Sequence, residues 1–258
     1  MPIAAYEWLV VVYFSALTLA GWVRPSGPIN RRTAASLGLT AVVAVLVVAM
    51  TGPWAVRAWA AVVYLFAGYW MPALLVTPTK EHSFEAWLVK ADTGIRRLLP
   101  RVPAALTPLL ELAYLFCYPL VPLSFAIVWI QGDGVDVERF WLAVLLSGYA
   151  CYVTLPWLVT RPPRARQDQQ TRGGIRHLNA HVLARCSHQF NTFPSGHVAV
   201  AAAAAVGAGS VSPPAGVAIG VVVAAISVGA AAGGYHYVLD VILGLVVAAV
   251  SAAVAGLL

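Results

Sequence analysis

Three side chains carry the chemistry that this sequence can be expected to perform. His197 closes the run Asn191-Thr192-Phe193-Pro194-Ser195-Gly196-His197, and His236 opens His236-Tyr237-Val238-Leu239-Asp240. Pro194 stops any preceding helix, Gly196 permits unusual backbone angles, and the first N–H groups of the apolar helix that follows have no intrahelical partner. Such a turn suits an anion, although its plainer reading is a helix cap with Ser195 as the capping side chain. His236 and Asp240 stand four apart and share a face on one helix. The carboxylate can then fix the imidazole tautomer and leave the other ring nitrogen as a nucleophile. His197 is placed to act as general acid for a leaving oxygen. Arg161 and Arg164, with the N–H groups of Ser195 and Gly196, can bind non-bridging phosphoryl oxygens. The set suits attack on phosphorus.

A metal site is the rival chemistry, since His177 and His181 are also four apart and Cys186 and His188 follow. That stretch is rich in arginine, which favours anions, and no carboxylate lies near its histidines. We therefore expect no metal and no cofactor. The three cysteines, Cys117, Cys151 and Cys186, lie too far apart for a disulfide framework or paired ligand spacing.

The elements that must position these residues are membrane spans. The chain has 258 residues, 60% of them hydrophobic and only 10% charged, far from the composition of a soluble domain. It reads as an all-α, polytopic membrane helical bundle of about eight spans. They fall at 8–23, 34–50, 54–76, 104–130, 140–159, 197–209, 217–232 and 235–258. The first run lacks a basic leader and carries Glu7, so it reads as a retained span and not as a signal peptide. Between the third and fourth spans, 79–101 mixes Trp87, Leu88 and Ile95 with Lys80, Glu85, Lys90 and Asp92, as an interfacial amphipathic helix does. Glu111 lies inside the fourth span, where a carboxylate either pairs with a loop arginine or stays protonated. The polar stretch 161–197 reads as a loop holding the first half of the site. Two spans out and back separate His197 from His236, so the chain returns to the same membrane face.

The Arg161-Pro162 corner, Phe193-Pro194-Ser195-Gly196-His197 and His236-x-x-x-Asp240 together resemble the type 2 phosphatidic acid phosphatase (PAP2) superfamily. That superfamily includes lipid phosphate phosphatases and, in a neighbouring branch, inositolphosphotransferases and sphingomyelin synthases. The resemblance covers 54–258 as a six-span catalytic core and leaves 1–53 as two additional N-terminal spans. It implies a metal-independent hydrolase acting through a phosphohistidine on a phosphomonoester or pyrophosphate of a lipid, with His236 nucleophilic, Asp240 its orienter and His197 the acid. Transfer of the phosphoryl-bearing head group to an alcohol, and a catalytically impaired lipid-binding or transport protein, are the alternatives. Two positions depart from the family pattern. Thr154 stands where a lysine opens the first motif, and Ala230 stands where an arginine precedes the nucleophile. Arg164, Arg172, Arg176 and Arg185 are the candidates to replace those cations.

The net charge is +6, and of the 16 lysines and arginines all but Arg57 and Arg139 fall on the motif side of the spans. The positive-inside rule then places the site on the cytoplasmic face of the plasma membrane. With no basic domain outside the spans, the expected partner is a phosphorylated lipid and not a nucleic acid.

Overall fold

The computed structural model describes residues 2–23, 31–76, 83–97, 102–166, 174–188 and 190–258, and the extended elements among them are all helices. In chain order they are α1 (Ala5–Val23), α2 (Arg31–Thr51), α3 (Trp54–Trp70), α4 (Ser83–Arg96), α5 (Thr107–Leu115), α6 (Cys117–Gln131), α7 (Gly134–Tyr152), α8 (Gly174–Cys186), α9 (Gly196–Val211), α10 (Pro213–Ala232) and α11 (Val238–Val254). Lys80 and Arg172, named above, lie outside the described residues.

By length and composition α1, α2, α3 with its 3-10 extension to Leu75, and α10 can each cross a bilayer, and α5 with α6 is long and apolar enough to be a fifth crossing, bent by 58°. That bend divides the span expected at 104–130. Pro119 has no N–H for the Leu115 carbonyl and its ring crowds that carbonyl, so the helix breaks at Phe116. Helix α7 starts earlier than expected because Asp133 caps it. Its side chain accepts from the N–H groups of Val135 and Asp136, and Asp136 returns a bond to the Asp133 N–H. The helix also ends earlier, so Thr154 falls in a turn beyond it.

Helix α9 sits at the centre, against α6, α7, α10 and α11. Its Ala199, Ala203, Ala204 and Ala208 are fully buried, and such small side chains let the surrounding backbones approach closely. At 16 residues it is shorter than a full crossing, as a helix enclosed by others can be. The first hairpin is built into this packing. Tyr13 stacks on Tyr149 with ring centroids 3.8 Å apart and donates to the Gly68 carbonyl at 2.8 Å. Buried Glu7 accepts from Arg57 Nε at 2.9 Å, which ties α1 to α3.

Two local readings differ from expectation. The stretch read as a loop contains α8. Helix α4 does not lay its charges in water either: Glu85 and Asp92 are buried with Leu88, while Trp87 is 54% exposed. Positions 85, 88, 92 and 96 form one stripe down the helix. That stripe faces the turns that carry the histidines.

Candidate active site

The Phe193–Pro194 peptide is cis, and Ser195 caps α9 as its side chain accepts from the Val198 N–H. The Ser195 N–H donates to the Asp240 carbonyl at 3.0 Å, and the Gly196 N–H donates to Thr192 Oγ1 at 3.1 Å. Both donors expected to meet phosphoryl oxygens are therefore occupied inside the protein. The turn serves as a cap and as a clasp between α9 and α11. The clasp is tight: a Cβ on Gly244 of α11 would stand 2.7 Å from the Ser195 carbonyl oxygen.

His236 lies in the turn between α10 and α11, just before the helix that carries Asp240. Gly234 has φ +69°, where an L side chain is strained, and its carbonyl accepts the Arg164 N–H at 3.0 Å. The N–H groups of Tyr235 and His236 both converge on the Ala230 carbonyl, at 2.9 and 3.0 Å. Asn191 Nδ2 donates to the Tyr235 carbonyl at 2.7 Å, joining this turn to the start of the first motif. Asp240 Oδ2 accepts from the Tyr237 N–H at 3.2 Å and stands 3.3 Å from His236 Nδ1. With Nδ1 on the carboxylate, Nε2 is the nitrogen left for chemistry. Helix α4 completes the support, because Asp92 Oδ1 accepts from the Val238 N–H at 2.6 Å and Arg96 donates to the His236 carbonyl at 3.3 Å.

The two histidines meet, with ring centroids 5.9 Å apart. His197 is ringed by Tyr69, Tyr114 and Tyr118, each centroid within 5.8 to 5.9 Å. His197 and His236 both line a cavity of about 300 Å³, together with Arg164, Arg176, Tyr235 and Asn191. His236 itself is only 2% exposed. Burial first, and then the Arg164 guanidinium, push its pKa down to about 3. The imidazole is thus neutral at ordinary pH.

The arginines divide. Arg164 stays at the cavity with its guanidinium 4.1 Å over the Tyr235 ring. Arg161 does not line it, since its guanidinium pairs with Glu85 at 3.3 Å and its side chain is 48% exposed. Arg176 of α8 does line the cavity and stands 3.6 Å from Glu111. Glu111 also accepts from the Tyr235 hydroxyl and from Asn179 Nδ2. Of the two readings open for Glu111, the structure thus provides a loop-segment arginine as partner. Arg185 contacts His181 on α8. At the two departing positions the chain uses uncharged links. Thr154 Oγ1 lies 2.7 Å from the Phe193 carbonyl, and Ala230 lends its carbonyl to the His236 turn.

The rival metal set does not assemble. His188 stacks on Tyr69 at 4.2 Å, and among the described residues no three of His, Cys, Asp and Glu stand close enough to share an ion. Glu85, Asp92, Arg96, Asn191, Tyr235 and the tyrosine ring around His197 were not singled out as site residues from sequence. The stripe at 85, 88, 92 and 96 was the available signal, a charged face with one apolar residue on an otherwise amphipathic helix.

Fold and site define a helical membrane protein with a polar cavity lined by buried His236 and half-buried His197. The family model of the PAP2 superfamily matches residues 81–254, well over half of the chain, and the chain belongs to that superfamily. Membership makes the protein phosphatase-type in its general activity. No curated protein and no solved structure matches it.

Proposed function

We propose that this protein is an integral membrane lipid phosphate phosphatase working through a phosphohistidine on His236. The observation that carries the reading is the His236 ring, held through Nδ1 by Asp240 and set beside His197 on the wall of a cavity that also holds Arg164.

In the first step Nε2 of His236 attacks phosphorus in line with the ester oxygen. The P–N bond forms as the P–O bond breaks, and the leaving alkoxide takes a proton from His197, which gains that proton as the phosphate anion enters beside it. Asp240 stabilises the positive charge that develops on His236. Arg164 binds the non-bridging oxygens, and Arg176 adds a second positive group on the α8 side. In the second step His197, now neutral, takes a proton from water as the oxygen attacks phosphorus. The P–N bond breaks, and inorganic phosphate leaves with both histidines restored. Neither step draws on a metal ion. Arg161 acts in this scheme through Glu85, holding α4 against the motif turns, and Ser195 and Gly196 act by shaping the turn.

The lipid is a phosphomonoester or pyrophosphate that reaches the cavity from the cytoplasmic face of the plasma membrane. Apart from Arg57, which is buried against Glu7, and Arg139, the cations lie on the side of the motifs. The reading is tested by phosphate release from lipid phosphates by the detergent-solubilised protein with a chelator present. His236→Ala and His197→Ala are each expected to cut the rate by about 1,000-fold or more. Release that persists in both variants, or that the chelator abolishes, contradicts it.

A further inference from the structure

We propose that the crevice between α3 and α6 receives the first methylene groups of the substrate's hydrocarbon chain, and that its small volume admits one chain, so that the protein acts on single-chain lipid phosphates. This rests on the reading of the His236 cavity as the phosphoryl site.

The crevice is lined by Val62, Leu65 and Phe66 of α3 and by Tyr118, Val121 and Pro122 of α6, and its surface is predominantly apolar. Tyr69 and His197 form part of its wall and also part of the wall of the polar cavity. A phosphate beside His236 therefore has an apolar path past His197, the residue that protonates the bridging oxygen. The path leads outward because α3 and α6 pack on α7 and α9 respectively but scarcely on each other. Their ring contact, Trp59 on Phe125 at 4.7 Å, lies toward the opposite end of both helices. Phe66, at the outer side of the crevice, is 43% exposed on the surface that faces lipid.

A larger cavity of about 640 Å³ lies between α5, α10 and α11, with Leu110, Val228 and Val241 among its walls. It shares no lining residue with the polar cavity, because the Tyr235–His236 turn stands between them. Continuity thus selects the smaller crevice, whose volume is about 50 Å³. A chain gains little hydrophobic free energy on moving from bilayer to crevice, since both are apolar. Selection there comes from size, since a volume that holds only a few methylene groups excludes two chains side by side.

The test uses the full chain in lipid nanodiscs and a long-chain alkyl phosphate carrying a mid-chain diazirine, irradiated and mapped by peptide sequencing. Adducts are expected on Val62, Phe66 or Val121. Val62→Trp should lower their yield at least tenfold, whereas Val221→Trp, on the lipid-facing side of α10, should leave the map unchanged. Val62→Trp should also lower at least tenfold the ratio of kcat/KM for the single-chain lipid to that for water-soluble p-nitrophenyl phosphate. Phe66→Ala should raise turnover of a two-chain phosphatidate relative to the single-chain lipid. Adducts on Leu110 or Val228, adducts spread over outer helix faces, no adducts, or a yield indifferent to Val62→Trp would overturn the proposal. Adducts at α3 and α6 without phosphate release from any ester would leave the chain site standing and remove the catalytic reading. Phosphate release with adducts elsewhere would do the reverse.

Discussion

In the proposed reaction His236 owes its readiness for attack to two local features, burial that favours the neutral ring and a carboxylate that fixes its tautomer. Asp240→Asn preserves shape while removing the charge that stabilises the imidazolium. It is expected to lower kcat by roughly 100- to 10,000-fold with little change in KM, read in steady-state kinetics on a lipid phosphate. Because the pKa of His236 is pushed down to about 3, its titration adds no acid limb to kcat/KM between about pH 5 and 8. An acid limb near the ordinary histidine value of about 6.5 that Asp240→Asn shifts would contradict this. His188 shows the same physics as a stability effect. Burial first, and the nearby His197 second, lower its pKa to about 4. The unfolded chain then binds a proton from about pH 6.5 downward while the folded chain does not until about pH 4. The stability this contributes is complete above about pH 6.5 and is lost as pH falls toward 4. Melting in detergent should accordingly fall over that window, and less steeply in His188→Phe.

At the scale of elements, helix α4 makes the turns of the site into one unit. Asp92 caps the start of α11, Arg96 holds the His236 carbonyl, and Glu85 holds Arg161. Asp92→Asn weakens the anchor of the nucleophile's turn and should lower kcat by between roughly 10- and 100-fold while the protein still folds. A variant with full activity would show that α4 only packs there. Much of this level was legible in the sequence. The capping Ser195, the return of His236 to the face of His197, and the nearness of Arg164, though not of Arg161, follow from turn residues and span counting. The use of each group was harder to see. Spacing showed that Ser195 and Gly196 offer N–H groups but not that Asp240 and Thr192 already accept them. Nor does a salt bridge across 76 positions, such as Glu85 to Arg161, leave any periodic trace. The same helix gives a direct test of orientation. Lys90 is exposed on α4, so Lys90→Cys in a Cys186→Ser background should resist an impermeant thiol reagent in intact cells and react in inverted vesicles. Labelling from outside would reverse the proposed topology.

Taken whole, the molecule is a close-packed bundle whose buried charged groups, among the described residues, are gathered at two levels. One is the site, and the other is the buried Glu7–Arg57 pair near the opposite ends of α1 and α3. Removing one member leaves a buried charge alone, so Glu7→Leu is expected to cost about 3–5 kcal/mol in stability. The double variant Glu7→Leu with Arg57→Leu should regain most of that loss in a detergent melting assay. The pair also explains why the first hairpin, outside the family match at 81–254, is not a loose appendage: Tyr13 and Glu7 bind it to α7 and α3. Composition announced spans here. It did not announce which of them would be wrapped by the others, because α9 and a lipid-facing helix are equally apolar.

In the proposed reaction phosphorus passes through His236. That passage is tested most directly by incubating the purified protein with a lipid carrying labelled phosphate in the presence of a chelator, quenching in base and mapping the label. An acid-labile, base-stable phosphoryl group is expected on the peptide containing His236 and absent in His236→Ala. Phosphate release without a labelled protein, or label retained in His236→Ala, would contradict it.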